Sequence, residues 1–510
     1  ITRGFLEKST EAIIKYSSLS YVAFNPFGNF NNYALGRVQD NIEAIGGRFF
    51  SWKSYQRASL EFNKRALPDL MWRLGSTTKK TAADFGKGES QYDVSKPFSK
   101  YESLTDIFYM MDKASDVRET GRSGPGAKSK LGMAWSKFEE IGYSMQDAAE
   151  YNVQTKVGMA ILMDTYVRSN KTGEVISIYD AYKFDSKTGK STISDEYDTI
   201  IEKVGKDSQG APITVEKPFN NEFIYETRNK IREVNKQIHG NYAKEDRMVI
   251  ESYAWGRLLA QFHKWVAPAM RARFQREYYD ENLGWMEGRY LSLIKGLKFF
   301  GERLVKVDTD FKNWNKKFLQ DYGYTEGKNI QMDQRATNKL FNIYRTLGEA
   351  SMMIGLLTLR SMLEGFMSMD DDEDDVMVYD SLQTTPESET AIRLRNLLAY
   401  QIDRTYKELI LFVPLLPAGL EQQYQMVKSP IASTRTLGEL GKAISLSIWT
   451  PVAYWAQSEE DFMNNSEFVY QRGKRAGELK VYKEWKDAVP ILYAIKKWEN
   501  YIDKSDFFIK

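Results

Sequence analysis

Apolar residues recur along most of this chain at three- and four-residue spacing, the period of helices that bury one face. From Lys244 to Phe274, the positions Met248, Ser252, Trp255, Leu259, Phe262, Val266, Met270 and Phe274 fall on one side, and Pro268 predicts a kink near Ala267. A second stripe, Tyr290, Leu293, Ile294, Leu297, Phe300 and Leu304, has Lys295, Lys298, Arg303 and Lys306 opposite it. A third helix is predicted from about Asp333 to Met369, with Gly348, Ser351 and Gly355 leaving room for a neighbouring helix. Beyond the acidic run Asp370–Asp375, Thr385 and Pro386 read as a cap and first turn, and Leu394, Leu398, Ile402 and Leu409 as the apolar side of the helix that follows.

One region departs from this period. GEVISIYDAYKFDSKTGKSTI, Gly173 to Ile193, is β-branched and aromatic and bounded by Lys-Thr-Gly turns, which predicts a small antiparallel ribbon, extended by Ala211 to Val215. It reads as an insertion between a helix ending near Val167 and another starting near Asn221. The expected class is therefore mainly α, an elongated multi-helix body with a β-ribbon insertion around 173–215. Five ranges follow: 1–145 with a basic-aromatic segment, 146–222 with the ribbon, 223–330 as a long-helix core, 331–425 with the acidic linker 370–375, and 426–510.

Composition narrows the chemistry. At 510 residues the chain exceeds one ordinary core. The 71 Lys and Arg nearly cancel 69 Asp and Glu, so net charge gives no argument for nucleic acid. Cys is absent, which excludes disulfides, thiolate metal sites and cysteine nucleophiles. The chain opens at Ile1 without an initiator Met, which reads as a fragment of a longer polypeptide. Neither Ala443–Ser458, broken by Pro451, nor Leu409–Leu420, with Pro414 and Pro417, reaches the length of a membrane span.

Several motifs suggest chemistry and fail on spacing. GRSGPGAKS, Gly121 to Ser129, places Ala127 between Gly126 and Lys128 where a phosphate loop needs Lys directly after Gly. Gly189-Lys190-Ser191-Thr192 lies in a hairpin turn and has Phe184 where that motif needs Gly. The acidic run lacks the alternation of a calcium loop and reads as a solvated linker. His239 and His263, the only histidines, read as packing residues. No cofactor, metal or catalytic residue is expected.

Two segments remain as contact candidates. Between Arg48 and Lys80, the basic residues Arg48, Lys53, Arg57, Lys64, Arg65 and Arg73 alternate with aromatics including Trp72, a mixture able to neutralise phosphates and stack on bases. The same mixture describes an amphipathic helix with a snorkelling rim. The basic face with Lys295 and Lys298, together with Trp449 and Trp455, fits a membrane surface or a protein partner.

Four segments resemble the C-terminal portions of giant virion-packaged proteins of crAss-like and related tailed phages. They are NVQTKVGMAILMDTYVRSNKTGEVISIYDAYKF (Asn152–Phe184), IHGNYAKEDRMVIESYAWGRLLAQFHKWVAPAMRARF (Ile238–Phe274), RNLLAYQIDRTYKELILFVP with its later KSPIAST, and KVYKEWKDAVPILYAIKKWENY (Lys480–Tyr501). Some such proteins are virion RNA polymerase polypeptides and others capsid cargo ejected with the genome. The DxDxD-type metal loop of the polymerases is not present, and the contiguous DDDEDD at Asp370 departs from it. The resemblance implies a non-enzymatic structural role in the capsid interior or portal–tail lumen, with delivery into the host cell. Implied partners are portal, tail or other virion proteins, further copies of the chain, genomic DNA and the host membrane during ejection. A membrane conduit component, or the non-catalytic part of a polymerase polypeptide contacting nucleic acid, are the alternatives. On the leading reading, large aromatic helix faces stay uncovered within one chain.

Overall fold

The computed structural model describes residues 3–21, 26–64, 99–108, 110, 130–206, 212–240, 253, 256–257, 266–306, 310, 313–325, 327–368, 389–410, 432–472 and 476–488. The fold is mainly α with small antiparallel sheets, as the periodicity predicts. In chain order the first elements are α1 (Arg3–Tyr21), α2 (Pro26–Gly46), α3 (52–64), α4 (Lys100–Phe108) and α5 (Lys130–Asp164). A β-rich segment follows: β1 (Tyr166–Ser169), β2 (Val175–Ser177), the single turn α6 (Ile178–Ala181), β3 (Lys183–Asp185), β4 (Lys190–Thr192), β5 (Tyr197–Lys206) and β6 (Pro212–Pro218). Next come α7 (Asn221–His239), α8 (Val266–Phe274), the hairpin β7 (Tyr278–Asp280) and β8 (Gly284–Met286), α9 (Arg289–Val305), α10 (Trp314–Asp321) and α11 (Ile330–Ser368). The chain continues through α12 (Glu389–Ile410), α13 (Ala432–Ala456), α14 (Glu459–Met463) and α15 (Lys480–Ala488).

The β-rich segment is larger than the ribbon expected. β2, β1, β5 and β6 form one antiparallel sheet, pairing Val167 with Ile176 and Ile200, and Ile200 with Lys217. β3 and β4 form a separate hairpin closed at Gly189. Helix α5 stops at Asp164, so Tyr166–Ser169 is strand rather than helix end. The run Ile178–Ala181 turns helical because the Ser177 hydroxyl accepts from Asp180 N at 3.1 Å, capping the turn within an otherwise β-prone stretch. Asn220 caps α7 in the same way, accepting from Phe223 N at 2.9 Å, and Gly240 closes that helix at φ 101.

The main core gathers Phe50, Tyr55, Phe62, Leu104, Phe108, Val157, Ile161, Val167, Ile178, Ile200 and Ile231, joining α3, α4, α5, the sheet and α7. Beside it, α11 packs on α2, α9 and α12. Gly348 meets Ile45 of α2, where an added Cβ would lie 3.1 Å from Ile45 Cγ2. Gly355 has open space around it. Thus one of the two glycines expected to admit a neighbour does so within the chain.

The helix at 290–304 is present, rotated from its expected face. It buries Arg289, Ser292, Gly296 and Phe299 and leaves Ile294, Leu297, Leu304 and Val305 exposed. Gly296 sets this rotation, since an added Cβ would sit 2.6 Å from Ile343 Cδ1 of α11. In α12, Gln401, Thr405 and Leu409 are buried while Leu398 is exposed, because Thr405 Oγ1 donates to Asn31 Oδ1 and Asn31 Nδ2 donates to Glu408 Oε1. Pro268 lies within α8, and the stripe positions of 244–265, the acidic run, the cap at Thr385 and the loop 121–129 lie outside the described residues.

Candidate functional site

The basic-aromatic segment divides. Arg48 turns inward: it donates to Asn338 Oδ1 at 2.5 Å and to the carbonyls of Leu283 (2.6 Å) and Trp285 (2.8 Å). Its guanidinium lies 4.7 Å from the Phe49 ring centroid, and desolvation, helped by Arg345, lowers its pKa to about 9. That head is committed to internal partners, so Arg48 is corrected from a surface contact to a structural clamp. Arg57 faces solvent yet forms a two-pronged pair with Asp180, at 2.8 and 2.6 Å. Lys64 pairs with Glu61 at 2.9 Å, and Lys53 is exposed. Arg65, Trp72 and Arg73 lie outside the described residues. Phe49, Phe50, Tyr55 and Phe62 are buried and Trp52 exposed, so most of the described aromatics here belong to the core.

Of the second set, Lys295 reaches back to Glu287, while Lys298 is exposed. Trp449 and Trp455 are on α13, and Trp455 is 91% exposed. α13 turns Ala443, Thr450 and Ala453 inward, and Ser447 accepts from Trp485 Nε1 of α15 at 2.7 Å. Its outer side carries Ile444, Ile448, Trp449, Val452 and Trp455, all exposed. The helix runs through Pro451, whose side is outward. A further uncovered stretch lies on α11, where Leu347, Ile354, Leu359 and Met362 are exposed.

Two internal polar clusters escaped sequence reading. On α11, Lys339, Asn342, Arg345 and Glu349 recur at three- and four-residue spacing, as an apolar stripe would, and all are buried. Glu349 Oε1 accepts from Arg273 Nη2 and Arg289 Nη2, both at 2.5 Å, and Oε2 accepts from the Tyr290 hydroxyl at 2.9 Å. Burial would raise the Glu349 carboxyl, but Arg289 and Arg273 outweigh it and hold the pKa below the ordinary value. Glu287, also buried, accepts from Ser292 Oγ at 2.8 Å and pairs with Lys295 and Lys339. Glu277 pairs with Lys339 and with Arg335 at 2.6 Å; burial opposes ionisation, but these hydrogen bonds bring its pKa down to about 2. Arg345 meets Glu43 of α2. The spacing of those polar residues was the available signal.

The second cluster surrounds Lys156, which is 0% exposed. Its ammonium nitrogen has no hydrogen-bond partner among the described residues and lies 4.9 Å from the Phe62 ring centroid and 5.8 Å from that of Tyr33. Desolvation, with Arg37 adding to it against Asp40, lowers its pKa to about 7. Asp40 accepts from the Tyr55 hydroxyl at 2.9 Å, which accepts from Arg37 at 2.5 Å, and His239 Nε2 lies 3.1 Å from Asp40 Oδ1. His239 packs beside this carboxylate without a hydrogen bond from Nε2 among the described residues; His263 lies outside the described residues.

Chemically, these groups hold elements together. Among the described residues no three His, Asp or Glu side chains converge as metal ligands, and no helix is long and apolar enough to cross a membrane. No family model, curated protein or solved structure matches the chain.

Proposed function

We propose that the chain is an internal structural protein of a tailed-phage particle, held in the capsid interior or portal–tail lumen and delivered with the genome into the host cell. Its task is adhesion to neighbouring virion proteins. One observation carries the adhesive part: large apolar side chains stand exposed along three helices, at Ile294, Leu297 and Leu304, at Leu347, Ile354 and Met362, and at Ile444, Ile448 and Trp455. Scattered apolar residues are ordinary on protein surfaces, whereas rows of them along a helix mark contact sites. The phage setting rests on the four resembling segments.

The inward commitment of Arg48 removes one of the basic contacts that nucleic acid would use. The test is location. Antibody raised against the chain is expected to label purified, opened particles and to give crosslinks to portal or tail proteins in intact ones. A protein found in infected cells and missing from purified particles would end this reading.

A further inference from the structure

Helix α13 shows a self-matching order of shapes. Gly441, Ile448 and Trp455 are each seven residues apart, two helical turns, and so lie in one line about 21 Å long. Ile444 and Val452 flank Ile448 at equal distances before and after it. Gly441 is exposed, with nothing within 4 Å of where its Cβ would be, so the chain itself makes no use of its smallness. Trp455, at the other end of the line, is the most exposed large apolar side chain described. A helix-interior glycine costs about 1 kcal/mol relative to Ala, and an open one has no return inside its own chain.

We infer that α13 is a seam between two copies of this chain, crossing antiparallel about a two-fold axis at Ile448. In that pairing Trp455 of each copy enters the notch left by Gly441 of the other, Val452 meets Ile444, and Ile448 meets its own equivalent. A two-fold contact of this kind demands a surface complementary to itself. The stretch Ala443–Ser458 has no charged residue, so pairing brings no like charges together. With Trp449 at its edge, the face offers roughly 700 Å² of apolar surface, close to one partner's share of a standard interface. A shallow crossing of two helices allows contact over this length.

The inference rests on the adhesive reading above and is testable apart from it. Sedimentation of the whole chain over a range of concentrations is expected to show a monomer–dimer equilibrium. Trp455→Ala and Gly441→Leu are each expected to weaken dimerisation at least tenfold, the second without lowering the melting temperature. Because the chain has no Cys, Ile448→Cys supplies a single thiol, and mild oxidation is expected to yield a covalent dimer. Tyr482→Cys, exposed on α15, is the control expected to stay monomeric. Concentration-independent monomer for the parent and for Ile448→Cys after oxidation overturns the seam. So does a monomer that sediments with phosphatidylcholine vesicles through Trp455, which would make lipid the occupant. A monomer still crosslinked to portal or tail proteins removes only the seam; a dimer absent from particles removes only the phage setting.

Discussion

Lys156 shows how one residue can oppose its own fold. A buried ammonium without a hydrogen-bond partner loses hydration, and its folded pKa of about 7 lies below the ordinary 10.5. The unfolded chain therefore binds the proton more tightly than the folded one. Stability is predicted to rise as pH increases from about 7 toward 10.5, the penalty being full below that window. Lys156→Met should raise stability at neutral pH by on the order of 2 kcal/mol and flatten that rise, as read by urea denaturation at pH 7 and pH 10. Glu349 is the opposite case. Glu349→Gln leaves Arg273 and Arg289 facing each other in a buried site and is expected to cost about 3–5 kcal/mol. Glu277, with a folded pKa of about 2 against an ordinary 4.5, adds stability that is present above pH 4.5 and lost as pH falls toward 2. Glu277→Gln should reduce the acid sensitivity measured by circular dichroism between those values.

Among the elements, α11 was legible in extent but not in facing. The predicted span Asp333–Met369 agrees with Ile330–Ser368, since a long run of helix formers needs no tertiary context to be recognised. Which side faces inward depended on partners that a single sequence does not reveal, namely Arg273, Glu287, Arg289 and Glu43 from distant elements. The same holds for α9, where Gly296 and Ser292 face inward and, of the predicted stripe, Leu293 and Phe300 pack beside them while Ile294, Leu297 and Leu304 are exposed. Strand β1 and the hairpin β7–β8 were missed because short strands carry little periodic signal, while the ten-residue β5 falls inside the predicted insertion 173–215 without having been singled out as a strand. Of the contact residues, the exposed positions of Lys298, Trp449 and Trp455 were readable, while the inward turn of Arg48 required knowing that Leu283 and Trp285 lie beside it. Asp333 accepts from Thr325 N and Gly327 N, both at 2.5 Å, fastening the preceding turn to the helix. Asp333→Ala should cost about 1–3 kcal/mol and increase hydrogen exchange at Thr325 and Gly327 before it affects α9.

Ranges that the periodicity set apart, 1–145 and 331–425, are bound together. Arg345 pairs with Glu43, Arg48 donates to Asn338, and Asn31 donates to Glu408, so the beginning of the chain is tied to α11 and α12. A version ending at residue 325 would lack these partners. It is expected to lose a sharp thermal transition and to be cut rapidly by protease within α2. A cooperative melt from that shortened version would argue that the first helices are self-sufficient. These ties also have a meaning for biosynthesis. Glu43 and Arg345 are 302 residues apart, so a ribosome adding about 5–20 residues per second makes the first wait tens of seconds for the second. Until then Glu43 on the nascent α2 and Arg48 just after it stand without their later partners. These charges stay hydrated in the meantime, so the leading helices can close their buried pairs only after Arg345 has left the ribosome.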